Sequence, residues 1–338
     1  MEQIDTSCIE KYRTPYRWPD YVMTGSGREG AFDAQGVDIP FVFSHRGVFH
    51  MLYTGFDGVG YQSALATSTD LLHWRFKGYV LPRGTGGGWD GRSCAANWIL
   101  KKSNDLYTLP EPGKADGKYW MTYHAYPGVG YETGPAEIGL AWTTDEELLD
   151  WHRLETPVLS WRDGAEWERG GLYKACLIRQ DGRFWLYYNA KNEEARWTEQ
   201  TGLATSTDLV HFTRCPENPL LRVTPEHWDE RFVSDPYVAR DGERWLCFYF
   251  GLGPGHAQEG LALSADLLHW QKCPEPLLAH GPAGAIDATH AHKPSLLYYN
   301  DTLYHFYCGT RPGRAGDVTK VLGEMRGICV AASKPFAL

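Results

Sequence analysis

Four stretches of the chain end in nearly the same way: ALATSTDLLHW at 64–74, GLAWTTDEELLDW at 139–151, GLATSTDLVHF at 202–212 and GLALSADLLHW at 260–270. A fifth, weaker copy is RGICVAAS at 326–333. The copies recur every roughly 60 to 70 residues, a period that marks a supersecondary unit which cannot bury its apolar face alone and must stack on its neighbours. Five such units account for almost the whole of the 338 residues.

Each unit has a second shared element, an apolar run, a turn and an aromatic strand. The copies are FVFSHRGVFHMLYTG (41–55), WILKKS followed after an insertion by GKYWMTYHA (117–125), CLIRQDGRFWLYYNA (176–190), YVARDGERWLCFYFG (237–251) and SLLYYNDTLYHFYCG (295–309). Arg-Gly, Asp-Gly and Asn-Asp between alternating runs are hairpin signals. Each unit therefore reads as strand, hairpin, strand, and then the Gly-Leu-Ala strand leading to a Trp-ended outer segment. This predicts an all-β, five-bladed β-propeller with four-stranded antiparallel blades. The whole of 1–338 is expected to be one domain, with blades at about 31–75, 90–152, 168–213, 229–271 and 285–335 and an N-terminal extension, 1–30, covering an edge or rim.

Composition narrows the partners. With 33 basic against 42 acidic side chains the net charge is −9, and no long basic run is present. Nucleic acid and anionic membrane are excluded as default partners, because both need clustered Lys and Arg. No stretch approaches the apolar length of a membrane span, and the first residues lack a basic stretch followed by an apolar run, so a cytoplasmic location is expected. The eight cysteines are scattered without C-x-x-C pairs and read as buried free thiols.

In a propeller the innermost strands begin at a common axial pocket. The hairpin pattern puts a polar group at or beside each entrance: Asp38, Asn97, Lys174, Asp235 and the pair His292 and Lys293. Polar groups converging on one cavity must pair with one another or bind something polar. Asn189, Lys191, His124, Arg311 and Asp57 lie at ends of the second strands and are candidates for the rim. A third repeated element, Trp89-Asp90, Trp167-Glu168 and Trp228-Asp229, precedes the hairpins; an acid recurring in one slot argues for packing, while a Glu where its siblings have Asp keeps Glu168 a catalytic candidate. The entrance with Asp287, Thr289, His290 and His292 reads as a hydrogen-bonding element, with a structural calcium as the alternative. No other cofactor is implied and no metal ligand is assigned. Among the tryptophans, Trp18, Trp98, Trp161 and Trp197 are candidates for stacking on a ligand, with Trp98 favoured because it adjoins Asn97.

At these residues the chain resembles the five-bladed propeller glycosidases, a group that includes arabinanases, β-xylosidases, α-L-arabinofuranosidases, invertases and mannoside phosphorylases. The blade ending S-T-D-L-x-H-W, the Asp-Ile-Pro start of the first unit and Ser-Asp-Pro-Tyr-Val in the fourth carry the resemblance over about residues 30–335. It implies that Asp38 is a general base or nucleophile and Asp235 a general acid, the pair that glycoside cleavage needs. The chain departs from the family pattern in having Asp235 where a Glu is usual, and Lys174-Ala175 where an Asp is usual, which leaves Glu168 as a replacement acid. The expected function is exo-acting hydrolysis of short oligosaccharides, furanosides such as arabinofuranosides among them, with the insertion at about 101–117 walling the pocket. A phosphorylase, with Lys174, His292, Lys293 and Arg311 clamping phosphate, and a non-catalytic carbohydrate-binding propeller are the alternatives.

Overall fold

A computed structural model describes residues 6–84 and 88–336, side chains from Ile9 onward. It is built of strands, with three short 3-10 turns. No helix of the described residues is long and apolar enough to cross a membrane. The strands fall into five antiparallel sets. The first runs Gly36–His45, Val48–Phe56, Tyr61–Ser68, Arg75–Leu81. The second is Ser93–Ile99, Lys118–Tyr126, Glu137–Thr143, His152–Arg153. Gly171–Gln180, Arg183–Lys191, Glu199–Ser206 and Thr213–Arg214 form the third, and Phe232–Asp241, Arg244–Leu252, Ala257–Ser264 and Trp270–Lys272 the fourth. The fifth, His290–Tyr299, Thr302–Pro312 and Glu324–Ala332, is completed on its outer edge by the early strands Tyr16–Arg17 and Met23–Thr24. Single parallel bridges, Glu199 to Phe232 and Ala257 to His290, join the last three sets into one continuous sheet. The expected N-terminal extension thus supplies strands to the fifth set, and the first set runs on to Leu81.

The repeats have local physical causes. The hairpin pairs Arg46-Gly47, Asp116-Gly117, Asp181-Gly182 and Asn300-Asp301 all have positive φ, as a two-residue turn matched to strand twist requires. In the blade-ending motif Asp70, Asp208 and Asp266 accept two backbone N–H groups each and hold the ring of the following His73, His211 or His269. The Trp-acid slot is a third device. Trp89, Trp167 and Trp228 stack nearly parallel on Tyr123, Tyr188 and Tyr249. A Cβ at Gly139, Gly202 or Gly260 would strike that tryptophan at 2.6–2.7 Å, which explains the glycine that opens each Gly-Leu-Ala strand.

Seven cysteines, all but Cys8, are free, and six of them are buried. The insertion after Ile99 lies where the inner strands end, not where they begin. Leu106 donates to the Arg240 carbonyl at 2.8 Å, Asn104 to the Arg179 carbonyl at 2.9 Å, and Tyr107 and Tyr12 donate to Asp241. With strands rising about 3.3 Å per residue, this puts the insertion roughly a strand length away from Asp235, and none of its residues lines the pocket described next. It covers the far ends of the inner strands instead of walling the pocket.

Candidate active site

The inner strands enter the pocket through bulges. In the first, fourth and fifth sets the bulge is a residue at positive φ followed by proline: Ile39-Pro40, Asp235-Pro236 and Lys293-Pro294, with φ of 52, 57 and 68°. Such a backbone is strained for a residue with a side chain, most of all for β-branched Ile39, and strain of this kind clusters at functional sites. The register also corrects the sequence alignment. Asp38 matches Ser234 and His292, one place before the bulge, whereas Asp235 matches Ile39 and Lys293.

A cavity of about 360 Å³ opens at these bulges, within the size range of small-ligand sites. Nine of the predicted residues line it: His124, Lys174, Asn189, Lys191, Trp197, Asp235, His290, His292 and Lys293. The others do not. Asp38 is buried behind the wall, where its Oδ2 accepts from Lys293 at 2.8 Å, Arg326 at 2.6 Å, and Tyr61 and Tyr131 at 3.3 Å each. Burial pushes its carboxyl up, but the two cations more than reverse this and hold it well below the usual range. Asn97 is spent on Ala95, Thr122, His124 and the Ala175 amide. Trp98 is a core residue, its indole donating to Leu177 and its ring packed on Phe41 and Tyr237, so no face is left for a sugar. Arg311 is clamped bidentately to Asp317.

Glu168 is fully buried away from the cavity, taken by Tyr188 and by Arg214 at 2.9 Å. Its siblings are built alike: Asp90 with Tyr123 and Arg153, Asp229 with Tyr249 and Lys272, Asp287 with Tyr307 and Arg17. The repeated acid is one structural device. Asp287 belongs to it, which removes it from any metal entrance. The trio Asp38, His292 and Cys308 lies close enough to share an ion, but the donors do not fit calcium. Asp38 is the one oxygen ligand and already holds two cations, while His292 Nδ1 is engaged with the Cys308 carbonyl.

Two acids that the sequence reading passed over line the cavity. Glu199 opens the third strand of its set, the place held by Tyr61 and Ala257 in the first and fourth. It accepts from Ser234 at 2.9 Å and Trp197 at 3.2 Å. Burial, with the neighbouring Asp235 and Glu132, pushes its carboxyl up to about 7. Glu132 sits on the loop 127–136 at φ 49° with its side chain about one-third exposed (35%); it accepts from Tyr61 at 3.0 Å and lies 3.5 Å from Lys293. Asp235, on the floor, is also raised by burial against the pull of Lys174 at 3.7 Å. The Asn189 amide nitrogen faces the Asp235 carboxylate at 3.1 Å and the Tyr173 carbonyl at 3.3 Å. Tyr126, Tyr131, Tyr173, Trp197, Phe232 and Phe250 complete an aromatic wall. The arrangement is a polar floor under aromatic sides, with the raised carboxyl of Glu199 and the side chain of Glu132 lining one space.

A solved structure described as "Glycoside hydrolase" is 26% identical, with a TM-score of 0.83 over 99% of this chain and 97% of that one. A 1,2-β-oligomannan phosphorylase from Thermoanaerobacter sp. (strain X514) is 28% identical over 47% of this chain and 44% of its own length. A probable sucrose-6-phosphate hydrolase from Psychromonas ingrahamii (strain DSM 17664 / CCUG 51855 / 37) is 30% identical over 38% of this chain and 23% of its own. The chain thus spans less than half the length of these curated relatives. A family model described as "Glycosyl hydrolases family 32 N-terminal domain" matches residues 110–286, just over half of the chain. The protein belongs to that family, within the propeller glycoside hydrolase superfamily that its repeats resemble.

Proposed function

We propose that the protein is a glycoside hydrolase in which Glu199 is the general acid and Glu132 the second carboxylate. The observation that carries this is Glu199, a half-buried carboxyl raised to about 7, lining the same cavity as Glu132. Cleavage needs a proton for the leaving oxygen and a carboxylate that attacks the anomeric carbon or activates water. Asp235, Lys174, Asn189 and His292 then hold sugar hydroxyls, and Asp38 acts at one remove by fixing Lys293 and Arg326. On this reading the five strand sets are the blades of a five-bladed propeller. The axis is packed by Trp98 and Tyr237 beneath the cavity, so substrate enters from one side, which favours exo action on short oligosaccharides.

A phosphorylase is the second reading, favoured by the oligomannan phosphorylase similarity and by Lys174, Lys293 and Arg326 at the cavity. A panel of 4-nitrophenyl furanosides and pyranosides, together with short oligosaccharides, is to be incubated with and without phosphate. Reducing sugar released without phosphate supports the hydrolase, and sugar 1-phosphate formed only with phosphate supports the phosphorylase. No turnover of any member contradicts both.

A further inference from the structure

Of the Lys and Arg side chains that line the cavity, all but one are matched by an acid: Lys293 and Arg326 hold Asp38, and Lys174 faces Asp235. Lys191 is the exception. It stands directly opposite Glu199 in the strand register, yet its ammonium makes no ion pair or hydrogen bond among the described residues. It lies instead 5.1 Å from the centres of the Tyr173 and Trp197 rings. A second unmatched cation adjoins it. Arg231 is pinned by its backbone between two residues of the cavity, its carbonyl accepting from the Glu199 amide at 2.9 Å and its own amide donating to the Leu252 carbonyl at 2.9 Å. Its guanidinium lies 4.6 Å from the Trp197 ring and 4.9 Å from that of Phe232, and uses only Nε, which donates to the Trp197 carbonyl at 3.3 Å. The nearby Arg196, in contrast, is paired with Glu230 at 2.8 Å.

Aromatic faces attract the two cations and fix them in place without using their N–H groups. The Lys191 ammonium and the terminal guanidinium N–H groups of Arg231 are therefore left without a partner among the described residues. Two cations gathered around one indole repel each other, and an anion between them relieves that repulsion. We infer that Lys191 and Arg231 form an oxyanion subsite beside Glu199, and that it takes the carboxylate of an acidic sugar on the leaving side of the bond. The side follows from Glu199, which stands opposite Lys191, is bonded through its backbone to Arg231, and protonates the leaving oxygen in the reading above, on which this inference rests. A guanidinium offers a carboxylate two parallel N–H groups, and an ammonium adds a third contact. A singly charged group also suits the place better than a phosphate dianion, because Glu132, Glu199 and Asp235 line the same cavity.

The test compares aryl glycosides of whichever sugar is released from its 4-nitrophenyl glycoside, with carboxyphenyl and carbamoylphenyl leaving groups of the same size. The carboxylate is expected to raise kcat/KM over the amide by on the order of 10- to 100-fold, the effect of a charge-assisted hydrogen bond or two. That advantage should shrink as the ionic strength is raised from about 0.01 to 1 M and the Debye length falls from about 30 to 3 Å. Arg231→Gln and Lys191→Gln should each lower the ratio, the double variant should bring it to about one, and Arg231→Lys should keep part of it. Equal kcat/KM for the two glycosides in the parent, or an advantage that survives in the double variant, overturns the inference while leaving the hydrolase standing. If no 4-nitrophenyl glycoside is cleaved the glycosidase reading fails instead, and binding decides. The Arg231 side-chain N–H signal, assigned by its loss in Arg231→Lys, is followed while glucuronate and galacturonate are titrated against glucose and galactose at matched ionic strength. A shift with the acids alone supports the subsite, and no difference between acid and neutral sugar contradicts it. A shift with inorganic phosphate but not with the acids assigns the cations to free phosphate and overturns the carboxylate.

Discussion

The chain holds two groups of acids that differ in one respect. Asp90, Glu168, Asp229 and Asp287 occupy one repeated slot, each bonded to a tyrosine of its own set and to an Arg or Lys. Glu132, Glu199 and Asp235 have no counterpart acid in the other sets, and they share a cavity. The first group is neutralised in place and holds the sets together. The second is incompletely compensated, and two of its members are raised by burial. An acid that recurs serves the fold, and an acid that breaks the repeat is available for chemistry.

The contrast can be broken most sharply at Glu199. Glu199→Gln is expected to lower kcat by about 10²- to 10⁴-fold, the range of general acid catalysis, with a smaller loss on substrates whose leaving group needs no proton. The same change should not harm the fold. The folded carboxyl titrates near 7 and the unfolded one near 4.5, so the folded state holds the extra proton between these values and stability falls as pH rises across that window. The melting temperature of Glu199→Gln should therefore exceed that of the parent at pH 8 and match it at pH 4. A variant that melts lower at pH 8 would mean that Glu199 is structural.

Asp38 sharpens the comparison from the other side, since it borders the cavity but is compensated like the repeated acids. Asp38→Asn strands Lys293 and Arg326 as buried cations, and urea titration should show about 3–5 kcal/mol lost at pH 7. Because the folded carboxyl is held well below its ordinary value, its contribution is present above pH 4 and fades as pH falls further, so the parent and Asp38→Asn should converge in acid. Glu168→Gln should cost less, about 1–3 kcal/mol, from Arg214 and Tyr188 losing a charged acceptor, and kcat should stay within about twofold. A large fall in kcat there would restore Glu168 as a catalytic acid.

The strand sets were legible in the sequence because each is written several times. Asp-Gly turns, the Ser-x-Asp-Leu ending and the glycine under each tryptophan are short-range requirements, and five copies average out the exceptions. The polar entrances were legible for the same reason, which is why His124, Lys174, Asn189, Lys191, Asp235, His292 and Lys293 all reach the cavity. Asp38 was not, because a bulge shifts its neighbour into the pocket position, and bulges leave no mark in an alignment beyond the following proline. Trp98 was misjudged because adjacency to Asn97 says nothing about which way an indole turns. Glu199 was readable: seven residues before Ser68, Thr143, Ser206, Ser264 and Ser333 stand Tyr61, Ala136, Glu199, Ala257 and Arg326, and the lone acid stands out. Glu132 lies on a loop outside the repeat, and only the fold brings it to Lys293 and Tyr61.

The central claim is that Glu199 carries the proton for the leaving group, and the pH dependence of kcat/KM tests it most directly. The parent should show an alkaline limb with a midpoint of about 7, where the raised Glu199 carboxyl ionises, and in Glu199→Gln the residual activity on an activated 4-nitrophenyl glycoside should be flat across that range. An alkaline limb near 7 that persists unchanged in Glu199→Gln would contradict the account.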